Sequence, residues 1–191
     1  MGFAMSISWF NARKAAQVAA FFANKQGNQI EVLKLVKLIY LADRQNMEDF
    51  GYPILNDKLV SMPHGPVNSI TLNYVNGDVE EIGEWEQYIT TRLNYSVGAT
   101  EVFTREQLDE LSQADLETLD KTWLSFGAFT KWQLRDWTHS NCPEWEDPHG
   151  GATPIPHERV FKFLKVENSE EMVRSIHEDR HVEELFFNLR A

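Results

Sequence analysis

Residues 30–50 run IEVLKLVKLIYLADRQNMEDF, and a helix with so apolar a middle has to sit inside a core. Leu33, Val36, Ile39 or Tyr40, Met47 and Phe50 recur at helical spacing, while Leu35, Leu38 and Ala42 widen the stripe beyond a single face. The spacing predicts a central helix over 30–50, closed by Gly51 and turned away by the GYPI segment that follows. Asp43 and Arg44 stand at its polar end, where core and surface would meet. They read either as surface groups or as a mutual pair fixing the next turn.

Around this element the chain reads as mostly helical. A first helix is expected from Ser6 to about Gln26, capped by Ser8 or Ser6 and ended at Gly27. DKLVSMP reads as a strand leading into the loop Pro63-His64-Gly65-Pro66, and VNSITLNYVNG as a short helix stopped at Asn76-Gly77. The segment from WEQYITTRLNY to GATEVFT is expected to form two strands joined near Gly98. Ser112 and Asp115 form a capping-box pattern before a helix whose Leu116, Leu119, Trp123 and Phe126 face inward. TKWQLRDWTHSN predicts another helix, CPEWEDPHGGATPIP a proline-stiffened loop, and HERVFKFLKV and SEEMVRSIHEDRHVEELFFNL two terminal helices. The fold class is therefore mostly α (α+β), one compact helical domain with a small β-hairpin or short sheet. It divides into a core over 1–157 and a helical extension over 158–191 packed on the same domain.

With 191 residues, 42% hydrophobic and 6 Trp, 12 Phe and 5 Tyr among them, the chain can bury a core of its own. No apolar run approaches the roughly 18–20 residues that cross a bilayer, and the N-terminus lacks a secretory pattern, so no membrane partner is expected. Cys142 is the only cysteine, which rules out an internal disulfide and suits a reducing, cytoplasmic setting. Residues 1–58 hold 7 Lys/Arg against 5 Asp/Glu, and the rest 11 against 24, for a net −11. Such a surface repels phosphate, which argues against direct nucleic-acid binding, and favours a basic protein partner.

His177-Glu178-Asp179-Arg180-His181 matches H-E-x-x-H, the spacing with which zincins hold a metal. The site wants a third protein ligand, and the ten residues after His181 are too few for the usual one. A metal-dependent hydrolase built on His177/His181 is thus the weaker reading, as is one on His139, Cys142, His149 and His157. A lone cysteine makes no zinc knuckle, and acidic surroundings deactivate a thiol. No metal, cofactor or catalytic residue is expected. His64 reads as a loop histidine bonded to backbone.

One reading joins these pieces. Tyr40-Leu41-Ala42-Asp43-Arg44, Gly51-Tyr52-Pro53-Ile54, Leu59-Val60 and Gly65-Pro66-Val67 occur in the order and spacing of the Panacea-domain (SocA-like) antitoxin family, which the stretch Lys34–Asn73 resembles. WQLRDWTHSNCPEWEDP resembles the same family's C-terminal signature, so the likeness spans residues 10–157 and leaves the HEDRH tail outside it. The resemblance implies a non-enzymatic protein that binds and neutralises a toxin encoded by an adjacent gene. A proteolytic adaptor delivering the toxin to a protease, or a phage-associated role, is the alternative within the family. It also implies that Gly65-Pro66-Val67 opens the next helix, with His64 a rim or capping group. Partner-binding candidates are Tyr40, Asp43, Arg44, His64 and Trp137.

Overall fold

The computed structural model of the chain describes residues 7–80 and 82–190. The central helix, α2 (Val32–Phe50), is buried nearly all round from Lys34 to Asp43 and ends at Gly51, whose left-handed φ of 82° suits glycine. On it pack α1 (Ala12–Lys25), α4 (Gln113–Phe126), α5 (Lys131–Asn141) and α6 (His157–Leu164). The alanines of α1 allow close approach: Ala15, Ala16, Ala19, Ala20 and Ala23 are all fully buried. The Asn11 side chain, not Ser8, caps α1 by accepting the Lys14 N–H at 2.8 Å; Ser6 lies outside the described residues.

Two small sheets flank the helices. Strand β1 (Gln29–Glu31) leads straight into α2 and pairs antiparallel with β4 (Ser96–Gly98). The doubling back expected near Gly98 occurs instead at Asn94 (φ 55°), between the bridged residues Leu93 and Ser96. Asparagine tolerates that conformation, which leaves Gly98 free to sit within the strand. The expected first strand begins instead as a 3-10 turn over Gly83–Gln87, which buries Trp85.

The second sheet has the order β3-β2-β5. Here β2 (Leu59–Met62) and β3 (Gly65–Asn68) form a hairpin turned by Pro63-His64, and Thr153–Pro154 adds β5. Gly65-Pro66-Val67 is thus strand, not the opening of a helix. Proline has no N–H to offer a ladder, and β3 is the edge strand that tolerates this. The edge is not open, since all four β3 residues are buried, with α2 and α5 packed against them. The following helix, α3 (Ser69–Asn76), gets its N-terminal bonds from afar: Asp57 accepts the N–H groups of Ile70 and Thr71, both at 2.9 Å.

Helices α4 and α5 both start with capping boxes, Ser112/Asp115 and Thr130/Gln133. The terminal helices form as the periodicity predicts, with α6 burying Val160 and Phe161 and α7 (Ser169–Arg190) burying Val173 and Ile176. Arg180 continues that inward face: its guanidinium donates to the Asn56 side chain and to the Asn56 and Asp57 carbonyls. The architecture is α+β with seven helices among the described residues.

Candidate partner-binding face

Lys37, Tyr40, Asp43 and Arg44 of α2 point into the protein, and each finds a partner. Lys37 Nζ donates to the Pro66 carbonyl at 2.7 Å. Tyr40 Oη donates to Glu144 Oε1 at 2.6 Å, and Arg44 Nε donates to the same oxygen at 2.6 Å. Asp43 accepts the Leu55 N–H at 3.1 Å and the Asn68 amide at 2.5 Å. These five bonds tie α2 to the hairpin, to the turn after Gly51 and to the loop after α5. Asp43 and Arg44 do not pair with each other: one fixes the turn and the hairpin, the other the distant loop.

The residues expected to meet a partner are therefore scattered in depth. Tyr40 and Asp43 are buried at 0% and 1% exposure, so neither side chain offers surface as the protein stands. Arg44 is largely buried on Glu144, and Trp137 is half-buried with its ring 4.7 Å from that of Phe126. His64 alone is fully on the surface, at the tip of the hairpin with its ring edge-on to Trp132 at 6.1 Å. It caps no helix, because α3 begins only after β3. Trp132 was the residue to notice. Five positions separate it from Trp137, about 140° around a helix, so one of the two must face outward.

His64 and Trp132 stand on one rim of a groove of about 770 Å³. Val32, Val36 and Val67 line its walls, and the exposed Tyr95 lines it as well. Beneath the hairpin, His139 stacks on Trp145 with ring centres 4.0 Å apart, and Trp145 Nε1 donates to the Met62 carbonyl. These contacts hold the loop after α5 against the hairpin and so stiffen the face.

The histidines do not converge. His177 and His181 are exposed on α7, beside the inward face of Val173, Ile176 and Arg180, with His177 Nε2 3.9 Å from the Glu158 carboxylate of α6. No group of three or more His, Cys, Asp or Glu among the described residues is placed to hold a metal ion. Burial and the charge of Glu144 push the Cys142 thiol up to about 12, the reverse of an activated nucleophile. Burial, with Arg180 nearby, drives His157 down to about 4. Tag-free protein is expected to carry no stoichiometric zinc. Elemental analysis giving about one zinc per chain, lost in His177→Ala/His181→Ala, would overturn this.

Asp43 makes the interior pH-sensitive. Burial raises its carboxyl to about 7, with Asp57 adding to the rise while the bonds from Asn68 and Leu55 and the charge of Lys14 oppose it. Between the ordinary value of 3.8 and about 7, the folded protein holds a proton that the unfolded chain has released. Stability from this group is thus full at low pH and declines as pH rises through that window. Relative to Asp43→Asn, the wild type is expected to lose about 2–4 kcal/mol between pH 4.5 and 8 in urea denaturation. Asparagine is accommodated because the Asn68 side-chain oxygen has no partner among the described residues and can accept from the new amide once turned. A pH-independent difference between the two proteins would refute the assignment.

A family model described as antitoxin SocA-like, Panacea domain, matches residues 35–146. That stretch holds both sides of the Tyr40–Arg44–Glu144 contact and the whole hairpin; it is shorter than the likeness read from the motifs, and it leaves α6 and α7 outside. No curated protein and no solved structure matches the chain closely enough to count as similar.

Proposed function

This chain belongs to the SocA-like antitoxin family, the family of the Panacea domain, and from that premise we propose that it neutralises a cognate toxin by binding it directly, without turnover. The family match over the elements that build the face carries this reading. The stiffened hairpin with exposed His64 and Trp132 supports it, because a recognition surface held in one shape loses little entropy on binding. The toxin is the product of an adjacent gene, and both proteins meet in the cytoplasm. A net charge of −11 steers a basic partner and makes association fast and salt-dependent. The protein acts without metal, cofactor or catalytic residue.

Co-expression with the adjacent gene tests the proposal. Growth is expected to be rescued, with a stable complex recovered by size exclusion and lost or weakened in His64→Ala/Trp132→Ala at unchanged melting temperature. Arg44→Ala is unsuited to this purpose, since it strips a buried carboxylate of its counter-ion. Rescue with no detectable complex would overturn direct neutralisation. Rescue that depends on a host protease, with the toxin disappearing from the cell, would favour delivery for degradation.

A further inference from the structure

The groove between α2, the hairpin tip and the start of α5 has a charge balance unlike that of the chain around it. Its charged lining consists of Lys37, Arg92 and Lys131 against one carboxylate, Glu31, in a protein of net −11. Glu31 is already committed to Lys131, with Oε1 2.5 Å from Nζ. Among the described residues Arg92 bonds only to neutral groups, the Asn94 carbonyl and the Asn76 side chain, and Lys37 donates to the Pro66 carbonyl. Arg92 thus has no counter-ion among the described residues, while Lys37 is fully buried and burial lowers its amine to about 7. The walls between them are apolar, and the exposed rings of Tyr95 and Trp132 flank the opening. The face of Trp132 is itself covered by cations, Lys131 Nζ at 5.4 Å and the Arg135 guanidinium at 4.9 Å.

We infer that this groove receives an apolar–acidic segment of the toxin, an aromatic or branched side chain entering between Tyr95 and Trp132 beside a carboxylate directed to Arg92. The inference rests on the antitoxin reading and adds the chemistry of the docking segment. The net charge of −11 sharpens the choice, because it disfavours a carboxylate over the surface as a whole while Arg92 offers it a counter-ion here. The rings stand at the rim and stay exposed, which suits a chain crossing the groove more than a small molecule sealed within it.

The probes are 8-anilinonaphthalene-1-sulfonate, an apolar anion, its neutral counterpart N-phenyl-1-naphthylamine, and the adjacent-gene toxin. The anionic dye is expected to bind at one site, about tenfold or more tighter than the neutral one, as charge-directed recognition requires. Its affinity should fall about tenfold or more in Arg92→Glu and in Trp132→Ala, and stay unchanged in Lys121→Glu, an equal charge reversal on α4 far from the groove. One equivalent of toxin should displace the dye. Circular dichroism and melting of each variant separate lost binding from lost folding; Trp132 is about half exposed, so its truncation leaves the fold in place. A toxin complex in which the dye stays seated, or a folded Arg92→Glu that binds toxin like the wild type, overturns the docking alone. Wild-type protein that fails to bind the toxin overturns the antitoxin reading as well.

Discussion

Gly65→Val is expected to lower stability by about 3–5 kcal/mol and the melting temperature by about 10 °C or more. Gly65 has a φ of 97°, in the region that a β-branched residue adopts only under strain. Space is lacking too. A Cβ there would lie 2.8 Å from Thr138 Oγ1, 3.1 Å from Lys37 Nζ and 3.2 Å from His139 Cδ2. None of the three can readily give way: Thr138 is buried and bonded to the Arg135 carbonyl, Lys37 holds the Pro66 carbonyl, and His139 is stacked on Trp145. His64→Ala, one residue away but exposed, should change stability by no more than about 0.5 kcal/mol. Thermal and urea denaturation of the pair give the comparison, and a Gly65→Val melting point within 2 °C of wild type would sink the argument.

Glu144→Ala should be comparably damaging, for an electrostatic reason. Glu144 is fully buried, and its carboxylate receives both the Tyr40 hydroxyl and the Arg44 guanidinium, itself only 16% exposed. Removing it leaves a phenol and a cation in a dry site without an acceptor, a loss of about 3–5 kcal/mol. Arg44→Ala leaves the carboxylate stranded instead and should cost a similar amount. The double mutant should then be more stable than the two losses added together, by about 1–3 kcal/mol, because each single change already breaks the same contact. A cycle that closes additively in urea denaturation would show that Arg44 and Glu144 do not act as a unit. The loop after α5 reaches the core through this contact, so Glu144→Ala should also loosen the face bearing Trp132, visible as faster amide exchange in the hairpin.

The local rules of helix and turn were legible in the chain from the start. Gly51 and Gly77 stop their helices in left-handed conformation, and Ser112 with Asp115 forms the capping box that its spacing predicts. The apolar middle of α2 alone required a protein wrapped around one helix. Such features depend on residues within a turn or two of one another, where sterics and hydrogen-bonding reach decide the outcome whatever the rest of the chain does. Polarity within the core was not legible in the same way. Asp43 and Tyr40 read as candidates to meet a partner, yet both are buried, which is tolerable because their own partners are Asn68 and Glu144, 25 and 104 positions away. Gly65-Pro66-Val67 likewise became a strand because α2 and α5 close over its edge. Whether a buried charge or a proline-bearing edge is tolerable depends on what the rest of the chain brings within about 3 Å of it, and that only the tertiary structure decides.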